Sequence, residues 1–221
     1  MRNSLTVKIA KTRQENPEII TLYFPRPFDF VPGQYITVFI DGSQVREGKA
    51  YSISSLPEQD LMSITVKNVG GEFSKYLCSR KVGDEVQISS CAYGNFNPQT
   101  DRPLVGITAG CALGPIWSVM ADSPQQKSLY FSHKSPELTV FREELADSDI
   151  KVNHFSTRCQ VEESQDWHNG RLSVEKIVKE VPDDAHFLLC GSMSFVADIW
   201  QKLISDGVNE RHISTETFFE Q

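Results

Sequence analysis

The chain has 221 residues, 39% of them hydrophobic and 23% charged, enough for one large or two modest folded domains and too apolar for a disordered chain. Its 22 basic and 29 acidic residues leave a formal charge of -7, which argues against nucleic acid or an anionic lipid surface as the main partner.

The first half alternates. Leu5, Val7 and Ile9 face one way; Ile20, Leu22 and Phe24, then Ile36, Val38 and Ile40, then Met62, Ile64 and Val66 repeat the pattern. Period two with turn residues between (Asn16-Pro17, Pro32-Gly33, Asp41-Gly42) predicts antiparallel strands, six of which close into a small barrel. A helix is expected from Phe73 to Arg80, entered from Gly70-Gly71.

After the polar, proline-flanked stretch Pro98 to Pro103 the pattern changes. Apolar runs at Leu104 to Ala109, Leu129 to Phe131, Val152 to Phe155 and Phe187 to Cys190 read as strands buried on both faces. They alternate with helical segments at Ile116 to Met120, Leu138 to Ala146, Val174 to Val181 and Phe195 to Ile204. That is a doubly wound parallel α/β domain. The expected division is residues 1–98 for the β-barrel domain and 99–221 for the α/β domain.

Cys78, Cys91, Cys111, Cys159 and Cys190 include no CxxC pair, which excludes a zinc ribbon and a plant-type iron–sulfur cluster and fits reduced thiols in a cytoplasmic protein. The five histidines lack metal-ligand spacing and read as surface or capping residues, so no metal is expected. The longest apolar run, Ala109 to Ala121, is broken by Gly114, Pro115 and Ser118; no membrane span is expected, and Met1 to Ser4 lacks a secretory signal's apolar core.

Four segments have the residue types of a nucleotide site, and each also has a plain structural reading. Thr108-Ala109-Gly110-Cys111-Ala112-Leu113-Gly114-Pro115 follows the first buried strand: a pyrophosphate loop at a helix start, or only a tight turn. Cys190-Gly191-Ser192 ends a later strand, where ligands of open α/β sheets bind, although a free cysteine there also serves as a small buried hydrophobe. Lys49-Ala50-Tyr51-Ser52-Ile53-Ser54-Ser55 offers a cation, a ring and hydroxyls; alternatively Tyr51 is a core aromatic and Lys49 a solvated charge. Val69-Gly70-Gly71-Glu72-Phe73-Ser74 is a second phosphate candidate, or a turn and cap.

Taken in order, and with Pro32-Gly33-Gln34-Tyr35 and the tail Glu216-Thr217-Phe218-Phe219, these segments resemble the ferredoxin–NADP reductase superfamily from about Leu5 onward. The resemblance is to its short bacterial reductases. It implies an FAD-dependent oxidoreductase that takes hydride from NADPH or NADH and passes electrons to a separate acceptor such as ferredoxin, flavodoxin or an oxygenase component. It also implies site roles. Tyr51 stacks on the flavin and Ser52 hydrogen-bonds near N5. Lys49, where the family has arginine, meets the phosphate as a point charge. Backbone groups of Val66 and Lys67 meet the ribityl side, Gly71, Phe73 and Ser74 hold the pyrophosphate, and Phe218 or Phe219 covers the ring. For the dinucleotide, Thr108, Gly110, Cys111 and Gly191 form the phosphate end, while Cys190 and Glu216 lie by the nicotinamide. Ser132, Lys134 and Arg158 meet the ribose 2′ position and favour NADPH, since no acidic residue directly follows that strand. Ala112 and Ser192 depart from the family's glycine and proline. Two alternative functions stand beside this one: a reductase that uses flavin as a substrate to reduce ferric chelates, and a non-catalytic nucleotide-sensing module.

Overall fold

Alternation in the first half becomes seven antiparallel strands in the computed structural model, which describes residues 3–218. The chain divides into two compact units, one running through Asn97 and one beginning at Pro98. The first unit contains β1 (Ser4–Lys8), β2 (Lys11–Asn16), β3 (Ile19–Pro25), β4 (Tyr35–Phe39), β5 (Lys49–Ser52), β6 (Leu61–Lys67) and β7 (Glu85–Ser89), with helix α1 (Glu72–Cys78) between β6 and β7. One sheet has the order β1-β7-β4-β5 and the other β2-β3-β6; they meet at an isolated bridge between Ile53 and Ile64. Six strands were expected and seven are present. The strand that alternation does not announce is β2, whose sequence KTRQEN has no apolar face.

The predicted apolar triplets do supply the core. Ile9, Leu22, Phe24, Ile36, Val38, Met62, Ile64 and Val66 are all buried, and Phe73 and Leu77 of α1 join them. Each such side chain contributes roughly 1.5–3 kcal/mol by leaving water. Leu5 departs from the pattern, being 37% exposed.

The second unit is a six-stranded parallel sheet in the order β11-β10-β9-β8-β12-β13. Its strands are β8 (Leu104–Ala109), β9 (Lys127–His133), β10 (Lys151–Ser156), β11 (Trp167–Asn169), β12 (His186–Ser192) and β13 (Ile213–Phe218). Helices α2 (Leu113–Asp122), α3 (Arg142–Ala146), α4 (Val174–Glu180) and α5 (Met193–Ser205) connect them. The central strands β8, β9 and β12 are almost wholly buried, as unbroken apolar runs require. Gly106 in β8 lets α2 come close: a methyl group there would stand 2.8 Å from Ile116 and 2.9 Å from Met120.

Two boundaries differ from expectation for local reasons. The helix expected from Leu138 begins only at Arg142, because Phe141 adopts a left-handed backbone with φ of 54°. That residue is buried and stacks on Trp117 at 6.3 Å, so packing of the ring overrides helix continuity. The second is α2, which starts at Leu113 and places Pro115 in its first turn, where a missing N–H removes no helical bond. Among the described residues, no helix is long and apolar enough to cross a membrane.

Candidate functional site

In the first unit, β5 carries Lys49, Tyr51 and Ser52 beside the motif Pro32 to Tyr35. Ser52 pairs with Tyr35 in the β4–β5 ladder, and the Ile53 amide donates to the Gln34 carbonyl at 2.9 Å. Gly33 turns the chain into β4 with φ of 85°. Two of the sequence motifs are therefore adjacent strands.

The third motif comes to the same place. The Lys49 ammonium lies 5.6 Å above the Phe73 ring, one residue into the first turn of α1, so a cation stands beside a helix start. Tyr51 packs against the core, and burial together with the nearby Cys78 thiol pushes its phenol well above the usual tyrosine range. Cys78 in turn points its sulfur at the Val66 carbonyl, 3.9 Å away. Lys49, Tyr51, Val66, Phe73 and Cys78 thus converge from β5, β6 and α1.

Gly70 makes the turn into α1 with φ of 83°, and a side chain there would meet nothing within 4 Å. Gly71 is the N-cap and provides no side-chain bond to the helix start. Ser74 is buried, and its hydroxyl donates to the Gly71 carbonyl at 3.1 Å and accepts from the Val69 amide at 3.3 Å. Lys67 directs its ammonium to Glu18 at 3.1 Å. Among the described residues, no strand pairs with β6 on that side beyond the Ile53–Ile64 bridge.

The hydroxyls after Ser52 are structural. Ser54 bonds Ser63 at 2.9 Å and Thr65 at 3.1 Å, and Thr65 bonds Thr21 at 3.0 Å. Ser55 accepts from the Ser63 amide at 3.0 Å. Ser54 and Ser55 reach partners 8 to 11 residues on, and Thr65 meets Thr21 44 residues away, so no single segment announces this ladder.

In the second unit, the strand order reverses between β8 and β12, and the loops leaving their carboxyl ends lie side by side. The Thr108 hydroxyl donates to the Cys190 carbonyl at 2.9 Å. Gly110 has φ of 56°, and a methyl group there would meet nothing within 4 Å; Cys111 and Ala112 follow in a 3-10 turn that leads into α2. Ala112, the residue that replaces a family glycine, is 2% exposed, so its methyl is packed inward.

At β12, a methyl on Gly191 would stand 2.6 Å from the Phe195 ring, which makes glycine the residue that lets α5 start there. Ser192, in place of proline, caps α5 by accepting from the Phe195 amide at 3.3 Å. Cys190 is fully buried; burial first, then the charge of Glu216, raises its thiol far above the usual range and keeps it neutral. Glu216 is its register partner on β13. Phe218 pairs with Ser192 on the same strand, and Phe219 lies outside the described residues.

Ser132, Lys134 and Arg158 gather at the carboxyl ends of β9 and β10. The Arg158 amide donates to the Lys134 carbonyl at 3.0 Å, and the Thr157 amide donates to the His133 carbonyl at 2.9 Å. Both cations are exposed. The reading of the histidines as surface or capping residues is corrected here: His133 and His186 are buried. His133 bonds His154 at 2.8 Å, and His186 bonds Ser214 at 2.9 Å. His133 and His186 lie on strands whose burial patterns place them inside.

Residues 5–97 match the oxidoreductase FAD-binding domain family. The flavohemoprotein of Pseudomonas aeruginosa is 31% identical over 233 residues, covering 96% of this chain and 58% of that protein. The flavohemoprotein of Bacillus subtilis is 31% identical, covering 90% of this chain and 55% of that protein. The chain thus spans little more than half the length of these curated relatives. In fold, it superposes with a TM-score of 0.83 on the FAD/NAD-binding domain of nitric oxide dioxygenase from Vibrio cholerae, at 24% identity and covering 99% of this chain and 100% of that one. It superposes with a TM-score of 0.80 on a ferredoxin NADP+ reductase from Neisseria gonorrhoeae with bound FAD and NADP, at 20% identity and 99% coverage of both chains.

Proposed function

We propose that this chain, whose residues 5–97 match the oxidoreductase FAD-binding domain family and whose fold is that of ferredoxin–NADP reductases, is an NAD(P)H-dependent FAD reductase of that superfamily that delivers electrons to a separate acceptor. The observation that carries it is Lys49 standing over Phe73 at the start of α1, which joins the cation–aromatic–hydroxyl run to the glycine turn.

When bound, FAD supplies the conversion of one hydride from NAD(P)H into two single-electron deliveries. Lys49 and the first-turn N–H groups after Gly71 balance its pyrophosphate charge. Tyr51, protonated at all ordinary pH, gives an uncharged aromatic face, and Ser52 is the hydroxyl for flavin N5. The Gly110 turn, Cys111 and the start of α2 take the dinucleotide's phosphates. Ser132, Lys134 and Arg158 take a 2′-phosphate, which favours NADPH. Cys190 and Glu216, register partners on β12 and β13, are the residues we assign to the nicotinamide end, with Cys190 as a neutral thiol that excludes water. The acceptor is a ferredoxin, a flavodoxin or an oxygenase component; similarity to flavohemoproteins adds a haem protein to that set.

Anaerobic titration of FAD-loaded protein with NADPH and with NADH tests the reading. Bleaching of the visible absorbance, at lower concentration with NADPH, is the expected result. Protein that stays colourless after reconstitution with excess FAD overturns it. Flavin that is lost on gel filtration yet turned over points instead to flavin as a substrate.

A further inference from the structure

A cavity of about 430 Å³ opens in the α/β unit between α3, the turn before it, and strands β10 and β11. None of the candidate nucleotide residues lines it, although Pro136 and Thr139 on its wall follow closely after Lys134. Its wall takes Ile150, Lys151 and Val152 from the start of β10, whereas Ser132, Lys134 and Arg158 sit at or beyond the carboxyl ends of their strands. Nothing in the proposed redox reaction uses it.

One wall is an aromatic slab. His154 and Trp167, both lining the cavity, stack with ring centroids 4.3 Å apart and planes 15° apart. His133 backs them at 5.0 Å and 5.5 Å, and Phe131 backs His133 at 4.2 Å. Leu145, Ala146, Ile150 and Val152 complete an apolar lining.

Hydrogen bonds orient the protons in this slab. The Thr139 hydroxyl donates to the Pro136 carbonyl at 2.8 Å, so it accepts from His133 Nδ1, at a long 3.4 Å. His133 Nε2 is then the acceptor for His154 Nδ1–H at 2.8 Å. Burial, more than the neighbouring charges, holds His133 at about 3 and His154 at about 4, and both rings are neutral near pH 7. By this assignment His154 Nε2 carries a lone pair. The charged lining residues are Arg142, Lys151 and Asp166, two cations to one anion. Arg142 is held in place by donating to the carbonyls of Pro136 and Thr139.

We propose that this cavity binds a small planar aromatic acid. Its ring lies on the Trp167 face in the plane of the His154 ring, a ring N–H donates edge-on to His154 Nε2, and its carboxylate is drawn by Arg142 and Lys151. The volume sits at the small end of ligand pockets, room for one or two fused rings. Stacking supplies most of the affinity, and the acceptor and cations fix orientation.

The test is calorimetry on the FAD-loaded full chain, with indole-3-acetate as probe. Saturable binding at about 1 mM or tighter is expected. The N-methyl and the carboxamide analogues should each bind about tenfold more weakly. Ala146→Phe, from an exposed lining position, should abolish binding by filling the space. Lys151→Met should weaken it by about threefold or more. FAD content and NAD(P)H-dependent bleaching should remain as in the parent protein. No saturable heat up to about 5 mM, or analogues and both variants that bind as well as the parent pair, would overturn the proposal.

Discussion

The Thr108 hydroxyl and the Cys190 carbonyl, 82 residues apart, meet at 2.9 Å in a fully buried bond. This bond ties β8 to β12 where the strand order reverses. Thr108→Val keeps the shape and removes the donor, so the Cys190 carbonyl loses a partner. Denaturant melts should show a loss of about 1–2 kcal/mol, with Thr108→Ser close to the parent. If the loop arrangement depends on this tie, the NADPH dissociation constant rises in the valine variant and returns in the serine one.

Gly48 leads into the strand that carries Lys49 and Tyr51. Its φ is 75°, and a methyl there would run into the Val38 carbonyl oxygen and stand 2.6 Å from the Phe39 ring. Gly48→Ala therefore combines a left-handed backbone with an overlap against main chain. A loss of about 1–3 kcal/mol is expected, together with weaker FAD retention on desalting. Unchanged melting would mean that the turn has more room than its geometry shows.

Tyr51→Ala removes the aromatic face but leaves β5 and its ladder to Tyr35 in place. FAD affinity, followed by flavin fluorescence, should fall about tenfold or more. Tyr51→Phe should hold flavin nearly as well, because the phenol is never ionised in the folded protein. Equal retention in the alanine variant would remove Tyr51 from the site.

Much of this arrangement is legible in the amino-acid order. The apolar triplets mark four of the strands because period two survives wherever one face is buried. The glycines at 33, 70, 110 and 191 mark turns and close approaches that no other residue makes easily. What stays hidden depends on partners distant in sequence. β2 is polar and is held by its ladder to β3; β11 is only three residues long. The Ser63–Ser54–Thr65–Thr21 ladder and the His133–His154–Trp167 stack join residues apart in sequence, and single residues with those side chains look like surface.

The buried histidines make a pH prediction with a definite sign. Their folded values, about 3 for His133 and about 4 for His154 and His186, lie below the ordinary histidine value near 6.5. The unfolded chain thus binds more protons across that window, and the stability these rings contribute is lost as pH falls from about 6.5 toward 3. The melting temperature should decline across that window. In His154→Gln, which keeps a polar side chain without the titration, the decline should be shallower. A parallel slope in parent and variant would rule His154 out as a source.

The position of β8 has a consequence for how the protein is made. It emerges first among the six parallel strands, yet one of its two flanking partners, β12, is translated only after β9, β10 and β11. On the ribosome, the apolar edge of residues 104–109 must wait for that late segment, a long-range closure that is slow by its topology. Nascent chains halted before residue 186 would expose a sticky ribbon to chaperones, while those extended past residue 192 can seal it.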